Sequence, residues 1–396
     1  MWRRALSPFL SDFLLKAVLG IIACLANLPA SEAIAKKGWS TMRGDSDGNV
    51  QIRPKIFFLF LANDGLPNEE IWLRFLAPAK HGVDYEAFLH CQNEVACRKN
   101  VSSQELFHIV PTVPSKWCED LVSPMDALLQ AALSTSSAST DVDSFTFVSD
   151  TTVPVKPFQT IWQRMTLDRA NGSSFCISPR HWWGVSDLNR SIVVKHQQWL
   201  TLSRAHANRV VANRDKMRNL VQVTSPEDFI LGDYLTPYYQ KTLGKFLPRA
   251  RLNGCLDEYL YFALVYGFVD NQSAVALPGS SAAGFTGNPL NITEAGAQEY
   301  QGQCDTLSFF GYGSDFKQVA GELEADGLTQ LELSWSEKHP ASFQTLSNTS
   351  LKVLRRSKFL FARKIDSRAT RFTGRAAQFL SLPDAFEQLV FQTGEE

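Results

Sequence analysis

Lys55 to Ala62 (KIFFLFLA), closed by Asn63-Asp64-Gly65, is the stretch that decides the fold class. After its first lysine it is apolar without interruption, it has the length of a strand, and Pro54 and the Asn-Asp-Gly turn bound it. An apolar run with no polar alternation has to be covered on both faces, which is the situation of a strand inside a parallel sheet. Beyond it, Pro67 stands where a helix can begin, and Ile71, Trp72, Phe75 and Leu76 recur at helical spacing. Tyr85 to His90 is the next apolar run, so strand, helix and strand follow within one βαβ length.

The pattern continues. Met125 to Leu133 reads as a helix and Ser144 to Val148 as a strand ending in Ser149-Asp150. Pro154, Pro157 and Phe158 lead into a helix through Ile161, Trp162 and Met165. After Val193 to Leu200 comes a basic amphipathic helix from Ser203 to about Met217; Cys255 to Val265 reads as helix, Leu328 to Leu333 and Phe359 to Phe361 as short strands. Between about Gly279 and Asp305 the chain is rich in Gly, Ala, Ser and Asn and reads as an irregular loop. This alternation predicts an α/β fold with a mostly parallel central sheet flanked by helices and ligands at the carboxyl ends of its strands.

Charge and composition remove some function classes. The net charge is −1 and the basic residues are dispersed, so there is no stripe to follow a phosphate backbone and nucleic acid is not an expected partner. With 44% hydrophobic and 20% charged residues the chain can bury a large core. Trp2-Arg3-Arg4 and Lys16 precede an uncharged run from Ala17 to Ala30, which reads as a targeting segment over residues 1–35. The run is shorter than the ~20 residues of a usual spanning helix, and Ala30-Ser31-Glu32-Ala33 and Ala33-Ile34-Ala35 resemble cleavage sites, so cleaved signal and retained type II anchor both stand. Either places the remainder in the secretory lumen. Sequons at Asn100, Asn171, Asn189, Asn271, Asn291 and Asn348 agree with this placement. So do six cysteines beyond Cys24 (Cys91, Cys97, Cys118, Cys176, Cys255 and Cys304), whose spacing favours disulfides over zinc and leaves the pairing open.

Several fragments, in order, resemble the core-2/I-branching glycosyltransferases and their plant-type relatives over roughly Lys55 to Asp366. They are the opening strand with Leu66-Pro67; Phe88-Leu89-His90; Phe145 to Asp150 with Pro154 and Phe158; Lys195 to Trp199 (KHQQW) with Arg204; Cys255-Leu256-Asp257-Glu258-Tyr259; Trp335 with His339-Pro340; and Phe359 to Lys364 (FLFARK). The KHQQW stretch departs from the family, in which Gly-Ser is more usual than His196-Gln197. The resemblance implies a GT-A-like domain over residues 51–366, after a short stem at 36–50 and before a polar carboxyl-terminal tail at 367–396. It implies an inverting enzyme that moves a sugar, N-acetylglucosamine first, from a UDP-sugar to a hydroxyl of a glycan or glycoprotein. The expected location is the Golgi or another lumenal compartment. UDP-xylose or UDP-glucuronic acid as donor, and a non-catalytic glycan-binding protein of the same fold, are the alternatives.

By the same resemblance Glu258 is the catalytic base and Lys364 holds the diphosphate, with an arginine from Arg355, Arg356 or Arg363. His90 and Asp150 lie near the nucleotide or donor, and Asp257, Trp199 and Trp335 near acceptor or sugar. Spacing alone gives plainer readings. Asp257-Glu258 is an acidic helix start, Lys352 to Lys364 a solvated basic cluster, His90 a packed histidine, and the tryptophans, including Trp182-Trp183, core. Inverting transfer needs one carboxylate to take the acceptor proton and positive charge to receive the leaving diphosphate. Asp141-Val142-Asp143 has the letters of a metal-holding pair but precedes its strand. Because the family uses basic side chains instead, the resemblance implies no metal and no cofactor beyond the UDP-sugar. A glycoside hydrolase would need two carboxylates across the bond, and adjacent Asp257 and Glu258 do not supply them.

Overall fold

The computed structural model describes residues 53–116, 120–136, 142–169, 172–176, 183–184, 191–193, 196–212, 256–258, 260–266, 268–270, 274–275, 304–308, 333–334, 340–373 and 380–392. The expected targeting segment and stem lie outside these residues. No helix among the described residues is long and apolar enough to cross a membrane.

The opening run forms β1 (Ile56–Ala62), whose first five side chains are fully buried. The chain continues through α1 (Glu69–Leu76), β2 (Tyr85–Cys91), α2 (Glu94–Asn100), β3 (Phe107–Ile109), α3 (Val122–Thr135) and β4 (Ser144–Ser149). β1 pairs in parallel with β2 on one side and β4 on the other, and β3 extends the sheet beyond β2. After β5 (Val153–Pro154), α4 (Phe158–Trp162) runs into one π turn, Gln163–Leu167. Two short strands follow, β6 (Trp183–Gly184) and β7 (Ser191–Val193), and then β8 (Thr201–Ser203) adds antiparallel to β4. The central sheet is thus β3-β2-β1-β4-β8, parallel except at β8. The α/β expectation with a mostly parallel sheet holds.

Next come α5 (Arg204–Ala212), a 3₁₀ turn (Leu256–Glu258), α6 (Leu260–Tyr266), β9 (Phe268–Asp270) and β10 (Ala274–Val275). β6, β7, β9 and β10 form an antiparallel sheet. The last elements are β11 (Thr306–Ser308), β12 (Leu333–Ser334), β13 (Ser342–Phe343), β14 (Thr345–Ser347), α7 (Asn348–Arg356), β15 (Phe361–Arg363), β16 (Arg371–Thr373) and α8 (Leu382–Phe386), which continues as a π turn to Phe391.

Two apolar cores share α1 and β15. Trp72, Phe75 and Leu76 pack with Phe58, Phe60 and Phe361 against the central sheet, while Ile71 joins Val153, Leu346, Leu354 and Phe386 in the second core. β15 alternates between them: Phe361 faces the first core and Ala362 the second, as the two-residue period of a strand requires. The polar tail expected at 367–396 is corrected here. Leu382, Ala385, Phe386 and Val390 are buried in the second core, and Arg74 of α1 ion-pairs with Asp384 and Glu387. Asp305 pairs bidentately with Arg169 at 2.5 and 2.6 Å. Two disulfides, Cys91–Cys97 and Cys176–Cys304, are formed among the described cysteines.

One junction sets up the site. The chain leaving β4 turns at once into β5, which pairs antiparallel with β15 (Phe361 opposite Pro154, Ala362 opposite Val153). That register brings the residues after β15 alongside those after β4, and the Ile365 N–H donates to the Thr151 carbonyl at 2.9 Å.

Candidate functional site

A cleft of about 450 Å³ opens at the carboxyl ends of β1, β2 and β4. Asn63 follows β1, His90 and Gln92 come from the end of β2, and Ser149, Asp150 and Thr151 from the end of β4. Since β2 and β4 leave β1 on opposite sides, this is the point where strand order reverses, the place at which open parallel sheets bind ligands. The wall opposite is Arg363, Lys364, Asp366 and Arg368, with Gln198 and Trp199 beside them.

Arg363 is the central cation. It is only 8% exposed, its guanidinium lies 4.2 Å from the centre of the Trp199 ring, and its Nε has no hydrogen-bond partner among the described residues. Burial brings its pKa down to about 9, with Asp150 and Glu258 working in the opposite direction, so the group is still charged at neutral pH. Lys364 is half-buried. Burial and then the neighbouring Arg363 lower its proton affinity, Asp150 raises it, and no hydrogen bond contributes. A buried guanidinium with an unmade N–H and a partly desolvated ammonium can receive an anion through charge-assisted hydrogen bonds.

Asp150 faces this pair. Burial raises its pKa, while Arg363 and the backbone N–H groups of Asn63 and Thr151 favour the carboxylate. Behind the cleft sits the acid pair. Asp257 is 1% exposed and Glu258 is partly exposed, so the neighbours do point differently. Burial, and then Glu258, push the Asp257 carboxyl up to about 7 against a hydrogen bond from Gln198; its Oδ2 has no partner among the described residues. Residues 196–199 connect the two walls: the His196 N–H donates to the Glu258 carbonyl at 2.8 Å, Gln198 bonds Asp257, and Trp199 carries Arg363.

The structure therefore brings His90, Asp150, Trp199, Arg363 and Lys364 to one cleft, with Asp257 and Glu258 adjoining it. His90 is 1% exposed; burial lowers its proton affinity and the Val113 N–H donates to its Nε2 at 3.0 Å, a bond only the neutral ring accepts. Arg355 and Arg356 are not brought there. Both sit on α7, and the Arg355 guanidinium donates to the Leu389 carbonyl at 3.2 Å. Of the three arginines singled out in the sequence, only Arg363 lines the cleft; helical phase turns Arg355 toward the second core. Asp143 caps the Lys55 N–H and ion-pairs with buried Arg204, a strand-entry role. Trp335, Lys195, Tyr259, His339, Trp182, Cys118 and Cys255 lie outside the described residues.

Sequence reasoning missed Asn68, which is fully buried. It precedes α1 yet makes no side-chain cap; its Nδ2 donates to Asp150 O (3.3 Å) and Ile365 O (2.7 Å), and its Oδ1 accepts from the Ser367 N–H (3.0 Å). It fastens the loop after β4 to the loop after β15 beneath the cleft. An Asn before a helix normally signals capping, so nothing in the sequence distinguished this use. Asp366 and Arg368 were missed too, because their bidentate pairing at 3.1 and 3.0 Å is local and carries no recognisable pattern.

No protein-family model matches the chain, and no curated protein matches it.

Proposed function

We propose that the protein is an inverting glycosyltransferase with a GT-A-like domain, which binds a UDP-sugar in the cleft at the ends of β1, β2 and β4 and transfers the sugar to a hydroxyl of a glycan or glycoprotein. The observation that carries this reading is the meeting, at a strand-order reversal, of a buried unsatisfied guanidinium and an ammonium with an acid pair on the adjoining wall. The resemblance of the FLFARK and CLDEY stretches to the core-2/I-branching enzymes supports the same assignment of roles.

In the proposed reaction Glu258 takes the proton of the acceptor hydroxyl as its oxygen attacks the anomeric carbon. The bond from that carbon to the β-phosphate oxygen breaks with its electron pair going to the diphosphate. Arg363 and Lys364 receive this charge, in the place a divalent cation occupies in metal-using transferases. Glu258 is favoured over Asp257 as the base because it reaches solvent, whereas Asp257 is sealed beneath it. N-acetylglucosamine is the first expected sugar by resemblance, and the lumen of the secretory pathway the expected location.

The test is turnover of UDP-sugars by the full chain with glycan acceptors, in the presence of EDTA, for the wild type and Glu258→Gln. Transfer that persists in EDTA and falls by about 10²–10⁴-fold in the variant, with UDP binding retained, is the expected result. Glycan binding without transfer, unchanged by the substitution, would replace this reading with a non-catalytic glycan-binding protein.

A further inference from the structure

Building on the donor reading above, we infer that His90 is a positioning residue: its ring anchors residues 110–116 as a strap along the β2 side of the cleft, so that Ser115 and Lys116 are already in place when the donor arrives.

The strap follows β3 and takes its shape from bonds to other segments. Residues 110–115 belong to no helix or strand, and Pro111 and Pro114 have no N–H to donate. The remaining donors reach outward. Val110 donates its N–H to the Leu89 carbonyl at 2.9 Å, Thr112 to Glu94 Oε2 at 3.1 Å and Val113 to His90 Nε2 at 3.0 Å. Lys116 and Asp120 exchange backbone bonds at 3.1 and 2.8 Å. The Thr112 hydroxyl adds a bond to the Cys91 carbonyl at 2.8 Å, and Gln92 Nε2 donates to the Ser115 carbonyl at 3.2 Å. Residues 90–94, at the end of β2 and the start of α2, therefore hold the strap at several points.

His90 supplies the anchor at its midpoint. The ring is 1% exposed, whereas Pro111, Pro114 and Lys116 of the strap are exposed. Its Nε2 accepts from Val113 only without a proton, and burial favours that neutral ring. Remove the acceptor and the Val113 N–H loses its partner, leaving the strap held at its two ends and by Glu94. The segment that is loosened carries two residues of the cleft lining, Ser115 and Lys116. β2 lies on the side of β1 away from β4, so this wall faces the one that carries Arg363 and Lys364. A wall that has to be ordered during binding costs affinity, and one anchored beforehand does not.

The experiment compares the full chain with His90→Leu, His90→Gln, Glu94→Ala and the double variant His90→Leu/Glu94→Ala. Hydrogen exchange of peptides covering 110–116 and the β1 strand is read alongside calorimetric binding of UDP-N-acetylglucosamine. His90→Leu is expected to speed exchange in 110–116 while β1 stays protected, and to weaken donor binding by about five- to tenfold, the loss of one anchoring hydrogen bond. His90→Gln, whose amide oxygen can take the place of Nε2, is expected to bring both readouts to within about threefold of wild type. Glu94 does not line the cleft, so Glu94→Ala perturbs the strap alone. It is expected to weaken donor binding too, with the double variant falling short of the product of the single effects because both act on one strap. Exchange in 110–116 that His90→Leu leaves unchanged overturns the proposal. So does donor affinity untouched by Glu94→Ala, or multiplying independently in the double variant, since His90 then acts by direct contact. A strap that opens and is restored by glutamine in a protein that binds no UDP-N-acetylglucosamine keeps His90 as the anchor and overturns the donor reading instead.

Discussion

At the scale of single residues, burial sets the chemistry. The Asp257 carboxyl, with an ordinary value of 3.8, titrates at about 7 in the folded protein. Over that window the native state keeps a proton that the unfolded chain has already lost. Stability therefore falls as pH rises from about 4 to about 7 and levels off above. On this account Asp257→Asn flattens the decline, by an amount on the order of 4 kcal/mol. Denaturant midpoints measured at about pH 4.5 and 7.5 check it, and an unchanged slope in the variant would mean that another group holds the proton. The two cations give a sharper contrast. Lys364→Ala is expected to weaken UDP binding by about 10–100-fold, the loss of a hydrogen bond between charged partners, while Arg355→Ala leaves UDP affinity unchanged because its guanidinium serves Leu389. Fluorescence or calorimetric titration of both variants decides this.

Among elements, the connection from β1 to α1 bears most of the site's geometry. Gly65 has φ 153°, which residues with a side chain rarely adopt, and a Cβ there would meet the Asn100 Cβ at 3.0 Å. Gly65→Ala is expected to cost about 1–3 kcal/mol in denaturant unfolding. Asn68→Ala leaves the carbonyls of Asp150 and Ile365 and the Ser367 N–H without their partner, which is expected to cost about 2–4 kcal/mol and to reduce UDP affinity; Asn68→Asp, which keeps the acceptor and loses the donor, separates the two halves. The strands that read clearly in the sequence, β1, β2 and β4, are each buried along most or all of their length; β1 is free of polar residues, and the few in β2 and β4, among them Glu86, His90 and Thr146, are buried with the rest. β15 was placed two residues early, since Phe359-Leu360-Phe361 is the apolar part but pairing runs on through Arg363. α7 (NTSLKVLRR) was not read as a helix although Ser347 and Ser350 form its capping box. Its apolar residues are few, and the neighbouring basic residues read as a solvated cluster. The candidate site was suggested by resemblance and not by pattern: spacing ranks Asp257-Glu258 as a helix start, and no periodicity tells Arg363 from Arg355.

For the whole molecule, tertiary links of long sequence separation hold the cleft. The Cys176–Cys304 disulfide closes a separation of 128 residues next to Asp305, whose carboxylate meets Arg169 and Thr201. Replacing both cysteines by serine is expected to lower stability by about 2–5 kcal/mol, measured by unfolding of oxidised wild type and variant side by side. The sharing of β15 between two cores has a consequence for synthesis. A chain emerging from the ribosome can close β1, β2, β3 and β4 into a sheet, with strand ends presented, long before residues 361–368 exist outside the tunnel. Such a chain has the floor of the cleft and lacks Arg363, Lys364 and Arg368. Under the proposed function, retention on a UDP affinity resin is expected only of molecules whose second core has closed, and would sort finished molecules from arrested ones.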